Sequence, residues 1–325
     1  MKQPLIILAG PTAAGKTKLS VELAGEIGGE IISADSMQVY RYMDIGSAKI
    51  SRAEMKGIPH YLVDVLEPDE EFHVVRFQEM AKEAMAKIYA RGHIPILVGG
   101  TGFYIQALLY DISFASEDGD ARYRQELEHL VREQGADRLH ARLRRVDPQS
   151  AEIIHANNVK RVIRALEYYH LTGEPISEHN QRERAKQSPY EYRYFVLTDE
   201  RRRLYERIDR RVDQMMEAGL LEEVRGLRKR GYTRDLVSMQ GLGYKELLAF
   251  LDGEISLEEA VYRIKRDTRH FAKRQITWFK REKDAIWISR EEYGSDQALL
   301  KAVADQIPLH QAAAETYRQT KQRNS

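Results

Sequence analysis

The chain has 325 residues, of which 42% are hydrophobic and 31% charged; its net charge is +1 and it has no cysteine. This composition fits a globular protein with one large domain or two, and it excludes a disulfide framework and any thiolate metal site. The apolar run near the N-terminus is too short for a secretory leader and no stretch approaches a membrane span, so a cytoplasmic protein is expected.

An apolar strand over 5–9 leads into "GPTAAGKT" at 10–17. A helix should follow from Gly15 to the glycine pair at 28 and 29, since Leu19, Leu23, Ala24 and Ile27 recur at helical spacing. "EIISAD" (30–35) and "HYLVDV" (60–65) read as buried strands, and 74–92 as a helix closed by Gly92. A further strand, "IPILVGG" at 94–100, precedes a helix over 101–111. Strands alternating with helices at this spacing predict an α/β fold: a P-loop NTPase-like parallel sheet flanked by helices. The pattern changes between 120 and 184, where no strand is evident and the segments starting at Ala121, Ala136, Pro148 and Asn158 all read as helices. This predicts an all-helical insertion domain at 120–189 within a core formed by 1–119 and 190–310. The rest of the core is expected as a strand at 192–198, a long helix over about 200–230, a turn at "SMQGLGY", a helix over 256–282 and a strand at 285–289. A polar tail at 311–325 should fray.

The strongest local signal is the glycine-rich loop. In Gly10, Pro11, Thr12, Ala13, Ala14, Gly15, Lys16 and Thr17, the spacing wraps backbone N–H groups around phosphate. Lys16 supplies the counter-charge and the Thr17 hydroxyl a ligand for Mg²⁺. The motif identifies a phosphate site and leaves the molecule open. Asp35 ends the second strand, so it faces the same crevice. It could serve as a metal partner, a general base or a turn cap. The strand at 94–100 ends in Gly99, Gly100 and Thr101, where an ATPase would commonly carry the Asp that holds Mg²⁺ through water. Thr101 offers a neutral hydroxyl, or only a helix cap. Asp64 is an alternative metal carboxylate. Arg207 and Arg211 share a helix face and could close over a diphosphate; by spacing alone, pairing with Glu206, Asp209 and Asp213 on the surface is the simpler reading. In "RIKRDTRHFAKRQITWFKREK" at 263–283, basic residues outnumber the acids Asp267 and Glu282, and aromatics such as Trp278 are interleaved. Such a stripe, with Arg274 on it, suits a polyanion such as RNA, although a solvated helix face would carry the same charges.

Together, "GPTAAGKT", "ISADSMQVYRYMDIGSAK", "VGGTGFYIQALL", "HANNVKRVIRALE", "MQGLGYKE" and "TRHFAKRQITWFKRE" resemble the tRNA dimethylallyltransferase (tRNA isopentenyltransferase) family of bacterial type, in family order from 10 to 282. The resemblance implies transfer of a dimethylallyl group from dimethylallyl diphosphate to the exocyclic N6 amine of the adenosine 3′-adjacent to the anticodon, in tRNAs reading codons that start with U. It implies that residues 10–17 hold the diphosphate, with Thr17 on Mg²⁺, that Asp35 engages the target amine, and that Thr101 binds near the bridging oxygen of the leaving group. It further implies tRNA contacts along Asp35, Ser36, Met37 and Gln38, along Lys160, Arg161, Val162, Ile163 and Arg164, along Gln240, Gly241, Leu242, Gly243, Tyr244 and Lys245, and at Thr101 and Tyr123. The partner is then the tRNA anticodon stem-loop, and a monomer is expected. The chain departs from the family pattern at Tyr42 and Ser47, where Gly and Thr are more usual, and at Gln240 and Gly241, where some members carry an Arg. Two other readings remain at this point: a small-molecule or nucleoside kinase of the same fold, and a non-catalytic RNA-binding module with a relic phosphate loop.

Overall fold

The structure, a computed structural model, describes residues 2–114 and 120–307. The polar tail at 311–325 lies outside the described residues. Six strands form one sheet: β1 (Gln3–Ala9), β2 (Gly29–Ala34), β3 (His60–Tyr61), β4 (Ile94–Gly99), β5 (Tyr190–Thr198) and β6 (Ala285–Ser289), in the order β3-β2-β4-β1-β5-β6. Every pairing is parallel. Parallel sheets are covered on both faces, so their central strands read as continuous apolar runs; Leu5, Ile6, Ile7, Leu8 and Ala9 on β1 are all buried.

On one face, α1 (Lys16–Ile27) and α13 (Asp296–Ala304) pack Leu19, Leu23, Ile27, Leu299 and Val303 against Ile6, Leu8, Phe195 and Ile288. Elsewhere in the core, α2 (Val74–Ala90) and α3 (Gly102–Leu109) stack Phe77 on Tyr104, with ring centroids 4.7 Å apart. Compact packing divides the chain into two units, one from Met1–Leu108 with Tyr190–Ser325 and one of Leu109–Pro189. The second contains helices α4 (Ala121–Gln134), α5 (Ala136–Val146), α6 (Pro148–Ile153), α7 (Val159–Thr172) and α8 (Ile176–Ala185). Its own core joins Leu127, Leu139, Leu143, Val162 and Leu166.

Three expected elements change. The strand at 60–65 is reduced to two residues, because Leu62 (φ 60) and Asp64 (φ 61) leave extended geometry. The long helix is two, α9 (Arg201–Glu217) and α10 (Leu220–Lys229), divided at Gly219 (φ 98). An additional helix, α11 (Tyr244–Leu251), follows the "SMQGLGY" turn and leads to α12 (Leu257–Phe279). No helix among the described residues is long and apolar enough to cross a membrane.

Candidate active site

Register places the site. Ala34 and Ala9 both pair with Gly99, so β2, β4 and β1 end side by side. Adjacent strands lie roughly 4.8 Å apart. Thr101, just beyond the middle strand β4, therefore emerges between Asp35 on one side and the Gly10 loop on the other. This is the carboxyl edge of the sheet, where open α/β folds bind ligands.

The loop over 10–17 is shaped by close approach. Gly10 has φ 143, and a β-carbon there would lie 2.2 Å from the Leu197 carbonyl oxygen, so only glycine fits against β5. Helix α1 begins without a side-chain cap, because its N-cap is Gly15, which leaves its first amides to an outside acceptor. Lys16 Nζ donates to the Gly10 and Pro11 carbonyls at 2.9 and 2.8 Å. Burial lowers its pKa to about 8; the charge of Asp35 opposes that shift and the charge of Arg211 adds to it. One loop amide is not open to phosphate: Thr12 N–H donates to Gln275 Oε1 at 2.9 Å. The expectation that Thr12 offers its amide to the diphosphate is corrected by this bond.

The two arginines of α9 do not make the surface pairs that spacing favoured. Asp209 binds Arg269 and Asp213 binds Lys265, both on α12, while Glu206 faces Arg202. Arg207 instead pairs through Nη1 with the buried Asp199 at 2.6 Å, and its Nε and Nη2 are buried with no hydrogen-bond partner. Arg211 makes no ion pair among the described residues; burial lowers its pKa, opposed by the charge of Asp35. Buried donors left without acceptors are costly unless a ligand satisfies them. Lys16, Arg207 and Arg211 form a set of cations suited to an anion with several oxygens.

Asp35 Oδ1 caps its own turn, accepting from Met37 N–H at 2.8 Å and Gln38 N–H at 3.4 Å. The second oxygen has no hydrogen bond among the described residues, so capping leaves it available. The Thr101 carbonyl accepts from Tyr104 and Ile105 at the start of α3, while its N–H donates to the Ala34 carbonyl; the half-buried hydroxyl is left over. Asp64, the alternative metal carboxylate, is held in an ion pair: Lys49 Nζ bridges it and Asp44 at 2.9 and 2.6 Å. Among the described residues no group of three or more His, Asp or Glu side chains could hold a metal ion. A Mg²⁺ here would rely on the Thr17 hydroxyl, which is exposed at the first turn of α1, together with water and ligand phosphate. That donor set fits an ion that keeps its waters and binds largely through phosphate oxygens.

The segment after Asp35 is tied down. Gln38 accepts from Ser33 Oγ and donates to the Ser47 and Ala48 carbonyls. Glu223 on α10 accepts from the amides of Asp44, Ile45 and Gly46 at 2.8, 2.7 and 3.0 Å. Tyr42, at φ 65, adopts a backbone conformation natural to the Gly more usual there, with Arg230 stacked 4.2 Å over its ring. Met37 lies against Gly241, bringing the 35–38 and 240–245 segments together; Ser36 is half-buried beside it.

Some expected RNA contacts are core side chains. Tyr244 is fully buried, and its hydroxyl donates to Glu223 Oε1 at 2.7 Å. Val162 and Ile163 face the core of the helical unit, and Tyr123 is buried with its ring stacked on His170 at 3.9 Å. The geometry corrects the expectation that these side chains touch RNA directly. Lys160, Arg161 and Arg164 are exposed on the other side of α7, as are Arg274 on α12 and Gln240; Leu242 and Lys245 are half-buried and Gly243 is buried. Trp278 meets Phe103 edge to face at 6.2 Å, with its indole Nε1 buried and unpartnered. Gln275, which bonds both Thr12 and the Gly100 carbonyl, is not among the residues that motif reading selected. Its signal was a polar residue on the apolar stripe of Ile264, Ala272 and Phe279.

A family model described as IPP transferase matches residues 38–282. A tRNA dimethylallyltransferase of Lachnoclostridium phytofermentans is 63% identical over 298 residues, covering 92% of this chain and 95% of that protein. The full-length tRNA isopentenylpyrophosphate transferase of Bacillus halodurans superposes with a TM-score of 0.72 at 43% identity, covering 98% of this chain and all of that one. A eukaryotic dimethylallyltransferase, seen acting on tRNA, gives a TM-score of 0.79 at 30% identity and covers 93% of this chain and 78% of its own. The chain belongs to the IPP transferase family, whose members here are tRNA dimethylallyltransferases.

Proposed function

We propose that this chain transfers the dimethylallyl group of dimethylallyl diphosphate to the N6 amine of the adenosine 3′-adjacent to the anticodon, in tRNAs reading codons that start with U. The observation that carries this reading is the order of the strand ends: a free Thr101 hydroxyl between a cation-lined phosphate loop and a half-free carboxylate. The diphosphate would occupy the loop, meeting the amides at the start of α1, Lys16, and the unpartnered Nε and Nη2 of Arg207, with Arg211 beside them. Mg²⁺ held by Thr17 would neutralise charge on the same phosphates. The bond between the allylic carbon and the bridging oxygen breaks as that carbon bonds to nitrogen, and diphosphate departs with the electron pair. The Thr101 hydroxyl donates toward the bridging oxygen as charge collects there. The amine is a weak nucleophile, because its lone pair is delocalised into the purine. The open oxygen of Asp35 accepts the amine proton as the new bond forms. The target base must leave the stack of the anticodon loop to reach this site, and the exposed Lys160, Arg161, Arg164 and Arg274 suit the RNA backbone.

A kinase reading is not favoured, because β4 ends in Gly99, Gly100 and Thr101 and Asp64 is committed to Lys49. The direct test incubates the protein with unmodified tRNA and isotopically labelled dimethylallyl diphosphate, and in parallel with ATP and candidate acceptors. Label entering tRNA is expected; phosphate transfer from ATP without prenylation would overturn the proposal.

A further inference from the structure

Gln275 lies on α12, far in sequence from both loops it touches, and is 7% exposed. Its Oε1 accepts from Thr12 N–H at 2.9 Å and its Nε2 donates to the Gly100 carbonyl at 3.0 Å. The amide therefore spans the phosphate loop and the turn that presents Thr101. The approach is close: a β-carbon at Gly100 would lie 2.1 Å from Gln275 Nε2, so any side chain there would push the two apart. The buried carboxamide thus uses its oxygen on one loop and an N–H on the other. It cannot be replaced by a group with only one of these functions without stranding a backbone partner.

We propose that Gln275 is a positioning residue that sets the gap between the diphosphate loop and Thr101. This inference rests on the proposed transfer reaction, in which the leaving group sits in one loop and the donor to its bridging oxygen stands on the other. Breaking the bridge lets the Thr101 turn drift relative to the bound diphosphate. The hydroxyl then misses an oxygen whose charge develops only in the transition state. The cost falls on kcat, with tRNA affinity unchanged, because the Gln275 side chain is buried and its amide is engaged with the two loops inside the protein.

Two variants test this. Gln275→Met removes both hydrogen bonds at similar volume. Gln275→Glu keeps the acceptor for Thr12 N–H but sets a carboxylate oxygen against the Gly100 carbonyl. In each, kcat for prenylation of unmodified tRNA should fall about 10- to 100-fold, the scale of a misplacement near 1 Å, while the tRNA dissociation constant holds. Combined with Thr101→Ala, the loss should be much less than the product of the single losses, because Gln275 acts through Thr101. Thermal melting separates this from a purely structural role, and the Glu variant, nearly isosteric, carries the test if the Met variant does not fold. Wild-type kcat in Gln275→Glu, or full multiplicativity with Thr101→Ala, would overturn the assignment. Absence of prenylation by the wild-type chain would instead overturn the reaction beneath it.

Discussion

The two edges of the same sheet handle buried charge in opposite ways. At the amino edge, Glu30 on β2 is 1% exposed and saturated: Tyr61 donates at 2.8 Å, Arg91 at 2.9 and 2.6 Å, and His93 Nδ1 lies 2.6 Å away. At the carboxyl edge, Lys16 leans on carbonyl oxygens, Arg207 holds two buried donors with no acceptor, and Arg211 has no ion pair among the described residues. The first arrangement neutralises itself and holds the fold together. The second keeps positive charge in reserve, at a cost in stability that only an anionic ligand relieves. Under the proposed function, the saturated cluster holds the fold and the open donors serve the diphosphate.

On that distinction, substitutions at the open edge should cost turnover and leave stability alone. The largest effect is expected for Asp35→Ala, with kcat lowered by about 10²–10⁴ and tRNA affinity little changed, measured by single-turnover prenylation beside tRNA titration. A near-normal rate would remove Asp35 from the chemistry. Arg211→Met should lower kcat/KM for dimethylallyl diphosphate by about 10²–10³, yet melt no earlier than the wild type, since it deletes a buried charge that has no ion partner; earlier melting would show that Arg211 holds the fold. Thr101→Ala should slow turnover by roughly 10- to 100-fold, below the range for a full oxyanion donor because one neutral hydroxyl is lost, and should weaken binding of inorganic diphosphate. Unchanged kinetics would exclude Thr101 from the site.

The closed edge should behave in reverse. Glu30→Gln should cost about 1–3 kcal/mol of stability in denaturant unfolding and leave kcat/KM intact. Burial pushes the Glu30 carboxyl up, but hydrogen bonds from Arg91, His93 and Tyr61 outweigh it and hold the pKa below the ordinary glutamate value. Its stabilisation is therefore complete above that ordinary value and is lost as pH falls through the lowered one. The variant should flatten that acid limb, and an unaltered limb would show that the cluster does not control it. The smallest effect is expected on α7 of the helical unit. Lys160→Ala with Arg164→Ala should weaken tRNA binding modestly and make its salt dependence shallower by about 0.7–0.9 for each phosphate that is no longer neutralised; an identical salt slope would mean that this face does not meet the backbone.

Much of this was legible in the amino-acid order. The glycine-rich loop, Asp35 and the "GGT" strand end declare themselves because each depends on backbone geometry within a few residues, and such geometry leaves short, spaced signatures. The alternation of strand and helix is equally local. Boundaries failed where a single dihedral decided them, as at Leu62 and Gly219. Local spacing also set Arg207 and Arg211 against the acids on their own helix, but α12 takes Asp209 and Asp213 through Arg269 and Lys265. Which lysine neutralises Asp64, which ring of the "GLGYKE" turn is buried, and which glutamine bridges the Thr12 and Gly100 loops were likewise settled by partners distant in sequence. The sequence alone determined the phosphate loop, the parallel sheet and the kinds of group gathered at its carboxyl edge, because these follow from spacing along one segment. Only the tertiary structure decided which of those charges are spent on each other and which remain open, because pairing is a property of neighbours that chain order does not record.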